Sequence, residues 1–383
     1  MIKMNNHLIF AILLAGVSAV GPMGIDTYIP SIPAMAIFFQ VSIEKIELSL
    51  SIFLIGFSIG QIFGGPISDT YGRKKSLIIG LLGFSIFSFL IIFSSSVLEF
   101  WIYRFFEAFS GGIVVVAASA MVRDKFHGKE AAKVFSLMGT VRSTAPLIAP
   151  AVGAFIIHFF SWEVVFIFLT IYPLIGIFFV MSKLEESYTY VKQNILHSFK
   201  EVLSHKTAMK AMLILGLGFS GLFIFISKSS FIFIEHFNIS TDYFPFYFGI
   251  NFVGLITMTA INMRLLKSFT PMEIIKVAIF IQTLAGLLIT FNYENISLLQ
   301  TVIFIVMYMS MFGFIFGNGM ALALEHFPKN AGVASSVAGV IQFGLGAILS
   351  TVVLSFHNET FLPIGLGFTI LSFLSYLIIR TYK

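Results

Sequence analysis

The chain has 383 residues, 58% of them hydrophobic and 11% charged, with a mean hydropathy of +0.98. Soluble globular domains average about 45–50% apolar and about 25% charged residues, so this composition excludes a disordered chain, a nucleic-acid-binding module and an ordinary water-soluble enzyme. The formal charge of +5 matters less than where the basic residues fall, and the absence of cysteine excludes disulfide frameworks and thiolate metal sites.

A helix needs about 20 mostly apolar residues to cross a bilayer. In chain order, twelve segments qualify: 7–29, 45–67, 76–96, 99–122, 132–158, 163–182, 209–234, 243–264, 272–292, 297–323, 331–356 and 360–380. They are too long and too continuously apolar for the alternating strands of a membrane β-barrel. The first ends in a Pro-rich turn and lacks a small-x-small cleavage site, so it reads as a retained helix rather than a secretory signal. The expected fold class is an all-α polytopic membrane protein whose longest connection, 183–208, divides the twelve spans six and six. The N-terminal bundle spans 1–182, a cytoplasmic linker 183–208, and the C-terminal bundle 209–383. Within the linker, residues 195–206 have the pattern of a short helix lying on the inner surface, either as a solvated linker or against anionic lipid.

Orientation follows from lysine and arginine. Of the 23 basic residues, Arg104, Arg142 and Lys228 fall at membrane depth and Lys45 in an outer connection. The remaining nineteen lie in the termini and the even-numbered connections, among them Arg73, Lys74, Lys75, Arg123, Lys125, Arg264 and Lys383. This bias places both termini in the cytoplasm. Outer connections carry acids such as Glu99, Glu163, Asp242, Glu294 and Glu359.

The connection after the second span reads Gly64-Gly65-Pro66-Ile67-Ser68-Asp69-Thr70-Tyr71-Gly72-Arg73-Lys74-Lys75. Its glycines permit close helix approach and a tight turn. Its basic run holds the loop at the cytoplasmic surface. With twelve spans, this pattern resembles the signature loop of the major facilitator superfamily. Other segments are similar to the drug:proton antiporter branch, particularly its Bcr/CflA-type exporters. They are Asp26-Thr27-Tyr28-Ile29-Pro30-Ser31-Ile32-Pro33 in the first span, and Arg104-Phe105-Phe106-Glu107-Ala108 with Met121-Val122-Arg123-Asp124 in the fourth. The fifth adds Ala145-Pro146-Leu147-Ile148-Ala149-Pro150-Ala151-Val152-Gly153. The eighth carries Phe248, Asn251, Asn262, Arg264 and Leu265 at similar spacing. Glu107 stands where that family has Gln, and Ala149 and Ala154 replace glycines.

The resemblance implies two six-helix bundles around a central cleft, forming a secondary transporter of the bacterial cytoplasmic membrane, a monomer with no cofactor, driven by a proton gradient and exchanging protons for a small molecule. Pro146, Pro150 and Gly153 would form the antiporter motif. Gly65, Asp69, Gly72, Arg73 and Arg123 would form a cytoplasmic latch, with Asp69 and Arg123 as its charge pair.

Buried charge is expensive in a bilayer, about 2.5–3.5 kcal/mol per residue on insertion scales. Five ionisable residues are expected at membrane depth: Asp26, Arg104, Glu107, Arg142 and Lys228. Arg104 and Glu107 share a helical face and can pair directly. Asp26 and Arg104 lie toward the outer ends of their predicted spans, where long side chains snorkel. Arg142 and Lys228 are too deep for that. Proton affinity of a carboxylate depends on burial and nearby charge, and alternating access changes both. Asp26 is therefore the expected proton carrier, with Arg104 as its tuning cation and Glu107 as a second carboxylate.

With both acids ionised this set is net positive, which favours an anionic or zwitterionic substrate. Arg142 and Lys228 can clamp a carboxylate, with Tyr28, Asn251 and Gln342 as further substrate contacts. The alternative to drug efflux is dedicated transport, by export or import, of an anionic metabolite or carboxylate siderophore. A non-transporting membrane sensor is the alternative of another class. No nucleotide-binding loop, nucleophile elbow or metal-ligand spacing is present in the sequence, so no enzyme activity and no nucleic-acid partner are expected.

Overall fold

The computed structural model describes residues 6–126, 128–186, 195–327, 331–356 and 360–382. The side chains of residues 6–8, 123, 128–133, 135, 136, 139, 140, 142, 143, 195–198, 331 and 332 lie outside that description. The described backbone is predominantly helical, with no strand among the described residues, as the hydropathy requires. Eleven of its helices are long and apolar enough to span a membrane, and Thr144–Phe159 is a shorter apolar helix. The chain divides into two compact units, Met1–Lys192 and Gln193–Lys383.

The first unit contains α1 (Asn6–Ser18), α2 (Val20–Asp26), a 3-10 turn (Ile29–Ser31), α3 (Ile32–Phe39), α4 (Ile43–Tyr71) and α5 (Arg73–Ile91). It continues with α6 (Val97–Lys125), α7 (Gly128–Phe159) and α8 (Trp162–Lys183). Helix α6 packs against both α4 and α5, α5 packs on α8, and α7 covers α1 and α2. The α4–α6 approach is close because Gly56 and Gly60 lie directly against the Phe105 and Phe109 carbonyls. Such small-residue contacts replace the hydrophobic drive that lipid removes.

The first span differs from its predicted extent. It runs over Ile9–Phe39, and the Pro-rich turn interrupts it instead of ending it. The 3-10 turn carries Pro30 and α3 carries Pro33, both in first-turn positions where a missing N–H costs nothing. Asp26 consequently lies near the middle of this span. About 13 residues of chain separate it from Phe39, roughly 20 Å of helix at 1.5 Å per residue.

The second unit contains α9 (Ile195–Ser204), α10 (Lys206–Ser230) and a π-helical turn (Phe231–His236). These are followed by α11 (Phe244–Leu265), α12 (Pro271–Phe291), α13 (Leu298–Leu324), α14 (Ala331–Ser355) and α15 (Leu362–Arg380). Helix α10 packs on α13, α14 and α15, and α12 packs on α13 and α15. Capping boxes start α12 at Thr270 and α13 at Ser297, while the His205 imidazole accepts the Ala208 N–H at the start of α10. Two apolar side chains of α9 are taken up by protein. Val202 is buried with Ala208, Met212, Phe327, Ala334 and Ala338, and Phe199 packs against the same cluster.

Candidate functional site

The first span breaks at Ala19 and again after Asp26. Asp26 is 2% exposed, and its Oδ1 has no hydrogen-bond partner. The turn that holds it is fixed from two sides. Thr27 Oγ1 donates to the Met23 carbonyl at 2.7 Å. Gly153 of α7 sits directly on the Thr27 carbonyl, where an added Cβ would lie 1.8 Å from that oxygen. Gly153 thus belongs to the setting of Asp26, because only a residue without a side chain lets α7 approach this turn. Pro146 and Pro150 lie buried on the same helix.

Arg104 and Glu107 form the second element. Both are 0% exposed. Arg104 Nη1 donates to Glu107 Oε2 at 2.6 Å and Nη2 to the Gly24 carbonyl at 3.0 Å. Ser88 Oγ donates to Glu107 Oε1 at 2.7 Å. The guanidinium carbon lies 4.5 Å from the Tyr28 ring centroid and 4.4 Å from that of Phe53, within cation–π range. The Tyr28 hydroxyl shares a 2.6 Å hydrogen bond with Ser49, and its ring packs on Phe100 and Phe166.

One sequence expectation changes here and one acid is added. Arg104 does not snorkel: it is enclosed by α4, α6 and the α2 turn. Its ion partner is Glu107, while toward the first span it reaches the Gly24 carbonyl. The second span also contains an acid the sequence reading passed over. Glu47 is fully buried, although an acid four residues into a helix ordinarily reads as an exposed N-terminal charge.

At the other end of this unit lies the signature loop. Asp69 pairs with Arg73, whose Nε also donates to Asp124 Oδ2 at 3.0 Å and whose Nη1 donates to Ser68 Oγ at 3.1 Å. Arg73 therefore bridges the end of α4 to the end of α6. The Arg123 side chain is outside the described residues, and the carboxylate from its motif that joins this bridge is Asp124. Gly72 has φ +96°, a conformation that favours glycine. Glu186, just past α8, lies against it and caps α5: Oε1 accepts the Arg73 N–H at 2.8 Å and the Lys74 N–H at 3.2 Å. Lys74 Nζ adds a 3.1 Å bond to the Met181 carbonyl. Gly64 packs closely on Ile113 and Val116, whereas Gly65 has open space around its Cα. Ser88, Asp124 and Glu186 are the participants that sequence reasoning missed. All three are distant in sequence from the groups they serve, so spacing gave no signal for them.

In the second unit, Lys228 is 1% exposed on the last turn of α10, with Nζ 5.2 Å from the Phe231 ring centroid. The Arg142 side chain, its expected counterpart in a clamp, is outside the described residues. Asn251 is buried on α11, donating to the Tyr247 carbonyl at 2.9 Å while its Oδ1 stays unbonded. Gln342 is buried on α14. Asn262 and Asn318 exchange amide hydrogen bonds at 3.2 and 2.8 Å, and Gln282 donates to the Tyr308 carbonyl at 3.2 Å. These three act as interhelical ties. Among the described residues no group of His, Asp and Glu side chains can hold a metal ion.

The model of the Major Facilitator Superfamily matches residues 14–351. The chain is 29% identical to a bicyclomycin resistance protein homolog of Haemophilus influenzae, over 94% of this chain and 92% of that one. It is 27% identical to the multidrug resistance protein MdtL of Klebsiella pneumoniae, over 84% and 82% of the two chains. Among solved structures, a D-xylose–proton symporter superposes with a TM-score of 0.77 at 17% identity, covering 98% of each chain. The human organic anion transporter MFSD10 superposes at 0.68 and 15% identity, covering 99% of this chain and 100% of that one. These last two likenesses concern the fold. A match over most of the chain, an all-helical fold with many membrane-long helices, and relatives that are transporters rather than enzymes agree on one conclusion: this multi-pass membrane protein belongs to the major facilitator superfamily.

Proposed function

We propose that the protein is a proton-coupled exporter of small organic molecules in a bacterial cytoplasmic membrane. It works as a monomer with both termini inside, by exposing one site alternately to the two sides of the bilayer. Asp26 carries the proton, and Glu107 with Arg104 forms a second charged group beside it. The observation that carries this reading is Asp26 itself: a carboxylate at mid-span, 2% exposed, with an oxygen that nothing bonds. An acid at such depth costs free energy and marks an ion or proton pathway far more often than a structural contact. The relatives named for bicyclomycin and multidrug resistance support export as the direction.

The interrupted helix gives the carboxylate room to change its surroundings. A small rearrangement of the 26–31 turn alters its solvation, which alters how tightly it holds a proton. The bridge of Arg73 to Asp69 and Asp124 is read as the latch that holds the α4 and α6 ends together during one half of the cycle.

The test is uptake into inverted membrane vesicles under an imposed pH gradient, with cationic, neutral and polycarboxylate compounds. Uptake is expected to follow the gradient and to collapse with a protonophore. Asp26→Asn is expected to keep expression and ligand binding while losing gradient-driven uptake. Full uphill transport by that variant would reject Asp26 as the carrier.

A further inference from the structure

Where α9 gives way to α10, the chain brings two histidines into contact. His205 is the residue before the first turn of α10, and its Nδ1 accepts the Ala208 N–H at 3.2 Å. A side chain in this position satisfies one of the N–H groups that a helix start leaves open. The hydroxyls of Ser96, Thr270 and Ser297 serve in the same way at the starts of α6, α12 and α13. A hydroxyl does not change its charge near neutral pH. An imidazole does, and it accepts a hydrogen bond only at a ring nitrogen that carries no proton. The cap on α10 therefore exists only while His205 is neutral, with its proton on Nε2.

The second histidine stands against the first. His326, just past the end of α13, stacks on His205 with ring centroids 4.4 Å apart, and Phe327 meets the His205 ring edge-on at 5.3 Å. Glu325 Oε1 lies 3.5 Å from His326 Nε2 and forms an ion pair with that ring only when the ring is charged. Burial and the Glu325 charge raise the Tyr382 phenol above its ordinary value, so it stays neutral here. Lys210 Nζ donates to the Thr381 carbonyl at 2.5 Å, and Glu201 and Lys206 are exposed on the adjoining turns. Helix α14 contributes apolar groups, Ala334, Val337 and Ala338. By residue type, only the two imidazoles in this set change charge near neutral pH.

We propose that His205 and His326 form a pH switch at the corner between α9 and α10, closed at neutral to alkaline pH and opened by acid. A proton on His205 Nδ1 turns the acceptor into a donor aimed at the Ala208 N–H. It also sets a positive charge at the positive end of the helix dipole, next to Lys206. A further proton on His326 puts two like charges in ring contact, and Glu325 lies beside His326, not His205. The uncapped corner thus binds more protons at this site than the capped one, so by linkage falling pH shifts the population toward it. The consequence reaches the packing below. Phe327, which His205 contacts, is buried with Val202 of α9 and with Ala208 and Met212 of α10. Loss of the cap loosens α9 and the chain that enters through it. The basic-residue bias puts this corner on the cytoplasmic side. The switch does not depend on the exporter reading. Under that reading, protons exchanged for substrate arrive on this side, and the corner registers them.

The experiment is hydrogen exchange read by mass spectrometry on the full-length protein in lipid nanodiscs at pH 8 and pH 6, with labelling times scaled for the chemical pH dependence of exchange. Peptides covering the first turns of α10 are expected to exchange at least tenfold faster at pH 6. The start of α12, capped by Thr270, is expected to exchange equally at both. His205→Asn keeps an uncharged acceptor of the kind that helix starts prefer, and should hold α10 equally protected at both pH values. His326→Phe keeps the ring contact without the second charge, and should open by about fivefold only, the scale of a lost cap. Equal protection of wild-type α10 at the two pH values, a response that persists in His205→Asn, or an equal response at α12 would each overturn the switch. A full wild-type response in His326→Phe would overturn the pairing. No readout uses a gradient or a transported compound, so the two proposals fail separately: a corner that ignores pH leaves the exporter standing, and gradient-independent flux leaves the switch standing.

Discussion

Glu107 and Arg104 set the energetics at the residue scale. Each is fully buried, so each depends on the other and on Ser88 and the Gly24 carbonyl for its hydrogen bonds. Removing one member of such a pair leaves an uncompensated charge, a loss of about 3–5 kcal/mol. Glu107→Leu is therefore expected to lower the melting temperature strongly in detergent. Glu107→Gln keeps an acceptor for Arg104 and should lose less. A double change, Arg104→Leu with Glu107→Leu, should recover stability that either single change loses, and thermal unfolding of the four proteins checks the cycle. Additive losses would mean that the two side chains are not coupled. Gly153 is governed by space instead of charge. A methyl at 1.8 Å from the Thr27 carbonyl oxygen forces α7 off the turn that holds Asp26. Gly153→Ala is expected to lose at least the ~1–3 kcal/mol of an overpacked site and to slow gradient-driven uptake. Wild-type uptake at wild-type stability would show that the helices accommodate it.

The element of most consequence is the start of α5. Three chain segments meet there: α4 through Asp69, α6 through Asp124, and the chain beyond α8 through Glu186. The Glu186 carboxylate satisfies N–H groups that a helix start leaves open and complements its dipole, so it fixes the backbone from which Arg73 reaches both aspartates. Because the chain has no cysteine, one introduced at Ser68, buried beneath Arg73, reports on this junction alone. Glu186→Ala should raise its reactivity toward a thiol reagent, with Glu186→Gln intermediate. Equal reactivity in all three backgrounds would remove Glu186 from the latch. The interruption of the first span is the second consequential element, since continuing the helix through α3 to Phe39 is what carries Asp26 to mid-span.

For the whole molecule, the prediction concerns topology. The concentration of basic residues in the termini and even-numbered connections expects both ends in the cytoplasm. A fluorescent protein fused after Lys383 should fluoresce, and alkaline phosphatase inserted at Asn295, between α12 and α13, should be active. The reverse pair of results would invert the orientation and with it the assigned direction of proton flow. The division into two units near residue 192 fits a superfamily whose halves are repeats, and α9 packs within the second unit through Val202 and Phe199.

Much of this protein was legible before folding was considered. Hydropathy located the membrane helices because a bilayer tolerates only segments that satisfy their own backbone. The signature loop, the Asp26 turn and the Arg104-x-x-Glu107 face were readable because loop geometry and helical neighbours are local in sequence. What only the tertiary structure decided was depth and partnership. The spacing of Arg104 allowed it to snorkel or to pair, and burial by α4 decided for Glu107. Asp124, Ser88 and Glu186 are joined to their partners by chain folding across 51, 19 and 113 residues. The stacking of His205 on His326 exists only where the end of α13 lies beside the start of α10. A sequence records which polar groups a chain carries, but whether each finds a partner depends on which helices pack around it.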